Sequence, residues 1–264
     1  MMKQRSTGFT LLELIGVMAV IAILSAALAP AVFQAIDDAY AAAEDTNLER
    51  IGDDLVRYIR AYGVIPTRQT ATISAALATE SNLPAQRISE NQRGFQRLFY
   101  FDPQFFSSPD SQWNGYTQTT GLAAAPLSPR VMIISNLGAN VAQQPATSAA
   151  FNAIWNQVPG AAIIESDRVK IHRLNLRNLF HRVLLTNENS SQAGYRLNLA
   201  AAQPVAAASG TTDGVVSRFV IDGTELSLFA DPYPSGALAT ARLVTANQSF
   251  LYTTNGTTWF WVTP

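Results

Sequence analysis

The chain has 264 residues, with 18 Lys and Arg against 19 Asp and Glu, giving a formal net charge of −1. That balance excludes a strongly basic nucleic-acid-wrapping protein and an acidic disordered tail. Only 14% of residues are charged and 48% are hydrophobic, and the chain holds no cysteine and two histidines. Disulfides, thiolate metal sites and cysteine nucleophiles are thereby excluded, and histidine chemistry has little to work with. The low charge suits a folded, polar-surfaced extracytoplasmic protein, with enough chain for one large domain or two small ones.

Residues 1–8 are short, polar and basic, with Lys3 and Arg5. Residues 14–36 then run uncharged for 23 residues. At a rise of about 1.5 Å per residue such a run crosses a hydrocarbon core of about 30 Å as a helix. Asp37 and Asp38 follow it. The positive-inside rule places the N-terminus in the cytoplasm and everything beyond Ile36 outside, with a single pass. Glu13 is out of place at the head of this run, because an acid costs about 2.5 kcal/mol or more at mid-membrane and less near the interface. It needs a cation, and cutting the chain after Gly8 creates one: the new α-amino group on Phe9, four residues away. An ordinary signal peptide is the competing reading, with an A-x-A site at Ala27-Leu28-Ala29. That reading puts Pro30 at the first mature position, needs an apolar run longer than usual, and leaves Glu13 without a purpose.

The helix is predicted to continue past the apolar run, to about residue 61, roughly 80 Å from residue 9. Leu48, Ile51, Leu55, Ile59 and Tyr62 recur at three- and four-residue steps as one apolar stripe, with Asp45, Glu49, Asp53 and Asp54 mainly off it. Gly52 weakens the middle by about 1 kcal/mol relative to Ala. Gly63 and Pro66 are stop signals. Residues 72–80 read as a short helix. Phe95, Phe99, Tyr100, Phe101, Phe105 and Phe106 form an aromatic cluster, read as core or interface packing. Residues 107–128 and 138–150 read as loops, 131–135 as a buried strand, 151–158 as a helix and 195–199 as a strand. Residues 218–229, with Asp222-Gly223, and 249–262, with Asn255-Gly256, carry hairpin signals. A long helix followed by an antiparallel sheet gives the fold class α+β.

Candidate chemistry in the body is thin. Arg168, Lys170, Arg173, Arg177 and Arg182, with His172 and His181 among them, form the densest basic segment. It reads either as a patch for an anionic partner, such as DNA or an acidic subunit, or as the solvated face of an element whose apolar side is Val169, Ile171, Leu174, Leu176, Leu179 and Phe180. The segment lacks the aromatic interleaving of a stacking groove, which favours the second reading. The two histidines are nine apart and make no helical ligand pair. Asp213, Asp222, Glu225 and Asp231 are scattered and lack EF-hand spacing, which disfavours a calcium site in the C-terminal loops and leaves it open. No phosphate-binding loop, hydrolase elbow, zinc-protease helix or paired-carboxylate site is present. The sequence predicts neither an enzyme nor a cofactor.

The stretch Gly8-Phe9-Thr10-Leu11-Leu12-Glu13-Leu14-Ile15, with its basic leader and long apolar helix, resembles the N-terminal signal of type IV pilins and type II secretion pseudopilins. The resemblance covers about residues 1–62. It implies cleavage by prepilin peptidase after Gly8, N-methylation of Phe9, and pairing of Glu13 with a neighbour's N-terminus during filament assembly. Pro30 falls where pilins often carry a helix-loosening proline. The implied organisation is a leader (1–8), a transmembrane or filament-core helix (9–36), its amphipathic continuation (37–62) and an extracytoplasmic α+β domain (63–264). The implied setting is a bacterial inner membrane with the body in the periplasm, then a pilus or pseudopilus. The implied partners are other subunits, the inner-membrane assembly platform and membrane lipid before assembly. Length and the lack of a C-terminal disulfide favour a minor pilin or a pseudopilin. A filament-borne adhesin or DNA-binding pilin, using residues 168–182, is the alternative.

Overall fold

The computed structural model describes residues 11–66, 70–105, 115–117, 128–141, 147–198, 201–230, 237–253 and 258–262. The chain divides into two compact units, Met1–Ala43 and Glu44–Pro264, with the boundary inside the first helix. The architecture is α+β: one long N-terminal helix followed by β-sheets that, among the described residues, are antiparallel at all but one strand pairing.

Helix α1 (Leu11–Tyr62) runs for 52 residues. In the second unit its stripe is buried as the spacing predicts, with Leu48, Ile51, Leu55 and Ile59 all at or below 2% exposure. Burying each contributes about 1.5–3 kcal/mol. The helix closes where the stop signal lies, and Gly63 N–H donates to the Ile59 carbonyl at 2.8 Å. Two residues depart from the pattern. Tyr62, expected on the stripe, is 52% exposed because its hydroxyl reaches out to donate to Glu80 on α2 (Thr70–Glu80) at 2.8 Å. Asp54, expected mainly off the stripe, is buried and accepts a hydrogen bond from Arg57 one turn on.

After α2 come α3 (Ala85–Ser89), β1 (Leu98–Phe101), β2 (Gly115–Thr117), β3 (Arg130–Asn136), α4 (Ser148–Trp155) and β4 (Val169–Asn175). Strands β1, β3 and β4 form an antiparallel sheet in that order. Side chains alternate across it. Phe99, Phe101, Val131 and Ile133 pack in one core with the α1 stripe, while Tyr100, Met132, Ile134 and Ile171 pack with Phe151 and Ile154 of α4. Phe99, Tyr100, Phe101 and Phe105 of the aromatic cluster are therefore core, while Phe95 is half-buried and outside it; Phe106 lies outside the described residues. Helix α4 starts and ends about three residues earlier than expected, because Thr147 caps it by accepting from Ala150 N–H.

The remaining strands are β5 (Phe180–Asn187), β6 (Ala193–Leu197), β7 (Gln203–Val205), β8 (Gly214–Ile221), β9 (Thr224–Phe229), β10 (Leu238–Val244), β11 (Gln248–Tyr252) and β12 (Trp259–Val262). They build a five-stranded sheet, β12-β11-β5-β8-β2, and a four-stranded one, β10-β9-β6-β7. Strand β2 falls inside a stretch expected to be loop. Strand β11 runs parallel to β5, the exception to the expected antiparallel pairing. Phe180 and Phe219 join the α1 core. On the opposite face Val183, Leu185, Val220, Phe250 and Tyr252 pack against Tyr195, Leu226, Leu228 and Val244 of the other sheet.

The two hairpin signals have different outcomes. Strands β11 and β12 pair as a hairpin, with Leu251 opposite Phe260; its Asn255-Gly256 turn lies outside the described residues. Strands β8 and β9 do not pair with each other. Asp222-Gly223 is a corner that hands the chain from the five-stranded to the four-stranded sheet. Asp222 N–H donates to Leu179 on one side and Gly223 N–H to Val244 on the other. Strand β8 takes β5 and β2 as partners, and β9 takes β10 and β6.

Candidate functional site

In the first unit α1 presents an uncovered apolar surface. Leu11, Leu12, Ile15, Met18, Ile23 and Phe33 are each more than half exposed. An 18-residue window of this helix has a mean hydropathy of 2.5, and among the described residues it is the one helix long and apolar enough to cross a membrane. Glu13 lies exposed in the first turn, where a carboxylate complements the positive end of the helix dipole. Pro30 lies inside the helix, where it removes one backbone donor. Gly8 and Phe9 lie outside the described residues.

The structure does not gather the five basic residues of the 168–182 segment on one face. Lys170 and Arg173 sit on β4 with odd spacing and so point to opposite faces. Lys170 faces α1 and pairs with Asp45 at 3.1 Å. Arg173 faces α4, donating to Glu165 at 2.9 Å and to the Trp155 carbonyl at 3.0 Å. Arg182 lies opposite Phe219 on the five-stranded sheet and reaches Ser217 Oγ at 3.3 Å. Arg168 and Arg177 are exposed, before and after β4. His181 lies 3.0 Å from Asp222. Among the described residues no group of three or more His, Asp or Glu side chains is placed to hold a metal ion; Asp231 lies outside them.

His172 lies on the α1 face of β4, beside Ile133 on β3, with its ring against Gly52 of α1. Burial pulls its pKa below the usual 6.5, while the charges of Glu49 and Asp53 act in the opposite direction. Two buried ion pairs escape the sequence reading because their partners are far apart in the chain. Arg97 donates to both oxygens of Glu44, at 2.6 and 2.8 Å, and through Nη1 to the carbonyls of Arg87, Ile88 and Glu90. Arg130 bonds Asp102 and Asn152, with its guanidinium 4.9 Å from the Trp155 ring centre. Each charge is compensated by fixed partners, which marks both as structural. The outward face of α1 in this unit carries exposed Glu49, Arg50, Asp53, Arg57 and Arg60.

A family model for the prokaryotic N-terminal methylation motif matches residues 3–29, the signature of type IV pilin and pseudopilin precursors. The motif implies processing by prepilin peptidase and assembly with other pilin-type subunits. No curated protein and no solved structure matches the chain.

Proposed function

We propose that the chain is the precursor of a minor pilin or type II secretion pseudopilin. Prepilin peptidase cuts it after Gly8 and methylates Phe9, and the mature subunit enters a filament through α1. The observation that carries this reading is the coincidence of the methylation motif at residues 3–29 with the uncovered apolar helix that carries Glu13 in its first turn. Before assembly the helix anchors the chain in the inner membrane, with Lys3 and Arg5 on the cytoplasmic side and the second unit in the periplasm. On extraction, equivalent helices bury one another's apolar surface, and the Glu13 carboxylate neutralises the Phe9 ammonium of a neighbour. A desolvated pair of this kind sets register more than it adds net stability.

The role of Glu13 is tested by Glu13→Val in the native host. Membrane insertion and leader cleavage are expected to proceed, with incorporation into filaments reduced to background. Incorporation at the wild-type level would remove Glu13 from assembly.

A further inference from the structure

We infer that the outward face of α1 between Glu49 and Arg60 is a docking surface for the same face of a second copy, running parallel and displaced by two helical turns. The inference rests on the filament reading above and adds to it a contact outside the apolar helix. Charge order along the helix carries it. Glu49 and Asp53 lie one turn apart, then Arg57 and Arg60 lie nearly one turn apart, and all four are exposed. Arg57 also donates to buried Asp54, and its guanidinium retains further N–H groups for a second acceptor. Arg50 and Val56, with these four, line a shallow depression of about 530 Å³ on this face.

Arg50 lies at one edge of the face; across the rest of it acids lead and bases follow, so two parallel copies in register set Glu49 against Glu49 and Arg57 against Arg57. Like charges so placed repel, and charge order of this sort fixes register between helices. Advancing one copy brings Glu49 level with the other's Arg57, eight residues along, and Asp53 level with its Arg60, seven along. Both offsets correspond to an axial displacement of about 11 Å. An antiparallel arrangement also pairs the charges, but copies anchored in one membrane by the same end cannot adopt it. The staggered contact leaves an acid pair open at one end and a base pair at the other. It is therefore heterologous and propagates rather than closes.

The test uses the full chain in its native host, with leader removal read by mass. Asp53→Arg, and separately Arg60→Glu, are each expected to cut incorporation about tenfold or more through like-charge contacts, with Arg57 kept because it also holds buried Asp54. The double exchange is expected to restore it. Full incorporation of either single variant, or failure of the double exchange to restore it, would overturn the surface. Crosslinking gives an independent readout, since the chain has no cysteine of its own. Asp53→Cys with Arg60→Cys is expected to yield oxidised ladders. The two positions are about 10 Å apart along one helix, too far for an intrachain disulfide. Disulfide-linked dimers from Asp53→Cys alone would show copies in register and overturn the stagger. A wild-type chain that is cut and assembles while the charge variants behave normally defeats only the surface; a wild-type chain that is never cut or assembled defeats both.

Discussion

Gly52 on α1 and His172 on β4 meet backbone against ring: a Cβ at residue 52 would lie 2.5 Å from Nε2 and 2.8 Å from Cδ2 of the imidazole. The glycine that costs the helix about 1 kcal/mol of propensity is what lets the helix sit this close to the sheet. Gly52→Ala should therefore destabilise the protein by about 1–2 kcal/mol, overpacking outweighing the gain in propensity. In a His172→Ala background the same substitution should become neutral or stabilising. Thermal unfolding of the detergent-solubilised full chain checks both, and an equal loss in the two backgrounds would contradict the contact.

His172 also gives a pH dependence with a definite sign. Its folded-state pKa lies below the usual 6.5 through burial, so the unfolded chain binds the proton more readily. The contribution is complete above about pH 6.5 and is lost as pH falls below it toward the folded-state value. Glu49 and Asp53 on α1 oppose the shift. Lys170 shares the strand face, paired with Asp45. Unfolding midpoints between pH 5.5 and 7.5 should fall with acidification in the wild type and less steeply in His172→Gln. An identical slope in the two proteins would exclude His172 as its source.

The Arg97–Glu44 pair should behave as a buried ion pair does when one partner is removed. Both side chains are at or below 2% exposure, so Arg97→Met leaves a carboxylate buried without its cation at a cost of about 3–5 kcal/mol. Arg97→Lys should recover only part of this, because an ammonium cannot span both Glu44 oxygens and the three carbonyls at once. Glu44→Gln with Arg97→Met should be less harmful than Arg97→Met alone. Denaturant titration of the three variants orders them.

At the corner between the two β-sheets, Gly223 has φ of +82°, and the space a Cβ would occupy is open, with no atom within 4 Å. Only backbone strain should therefore accompany Gly223→Ala, about 1–2 kcal/mol, and Gly223→Asn should cost less. If the alanine variant melts with the wild type, the corner does not require the left-handed conformation.

How much the sequence reveals depends on how local the determining contacts are. The α1 stripe and its stop are readable because Leu48, Ile51, Leu55 and Ile59 repeat with the helix, and Gly63 follows the last turn. The β11–β12 hairpin is readable for the same reason. The Asp222-Gly223 turn misleads because two turn residues specify a reversal and not the partner on each side. The partners on the two sides are β5 and β10, which lie outside the turn's own residues. The buried roles of Arg97, Asp54 and Arg130 are invisible, since nothing about an isolated arginine or aspartate announces an ion partner or a hydrogen bond in the core. The basic segment illustrates the converse: its charges are adjacent in sequence, yet strand alternation sends Lys170 and Arg173 to opposite sides of one sheet. In the first unit, Glu13 stands out because an acid beside 23 uncharged residues is costly in lipid wherever the helix packs.

Leader removal and N-methylation change the N-terminus covalently, and intact mass with N-terminal sequencing of the protein from its own membranes tests them most directly. A chain lacking residues 1–8, starting at Phe9 and heavier by one methyl group, is the expected result. A chain starting at Met1 or Met2 would contradict the account and leave a plain membrane anchor, and one starting near Val32 would contradict it in favour of a secreted protein.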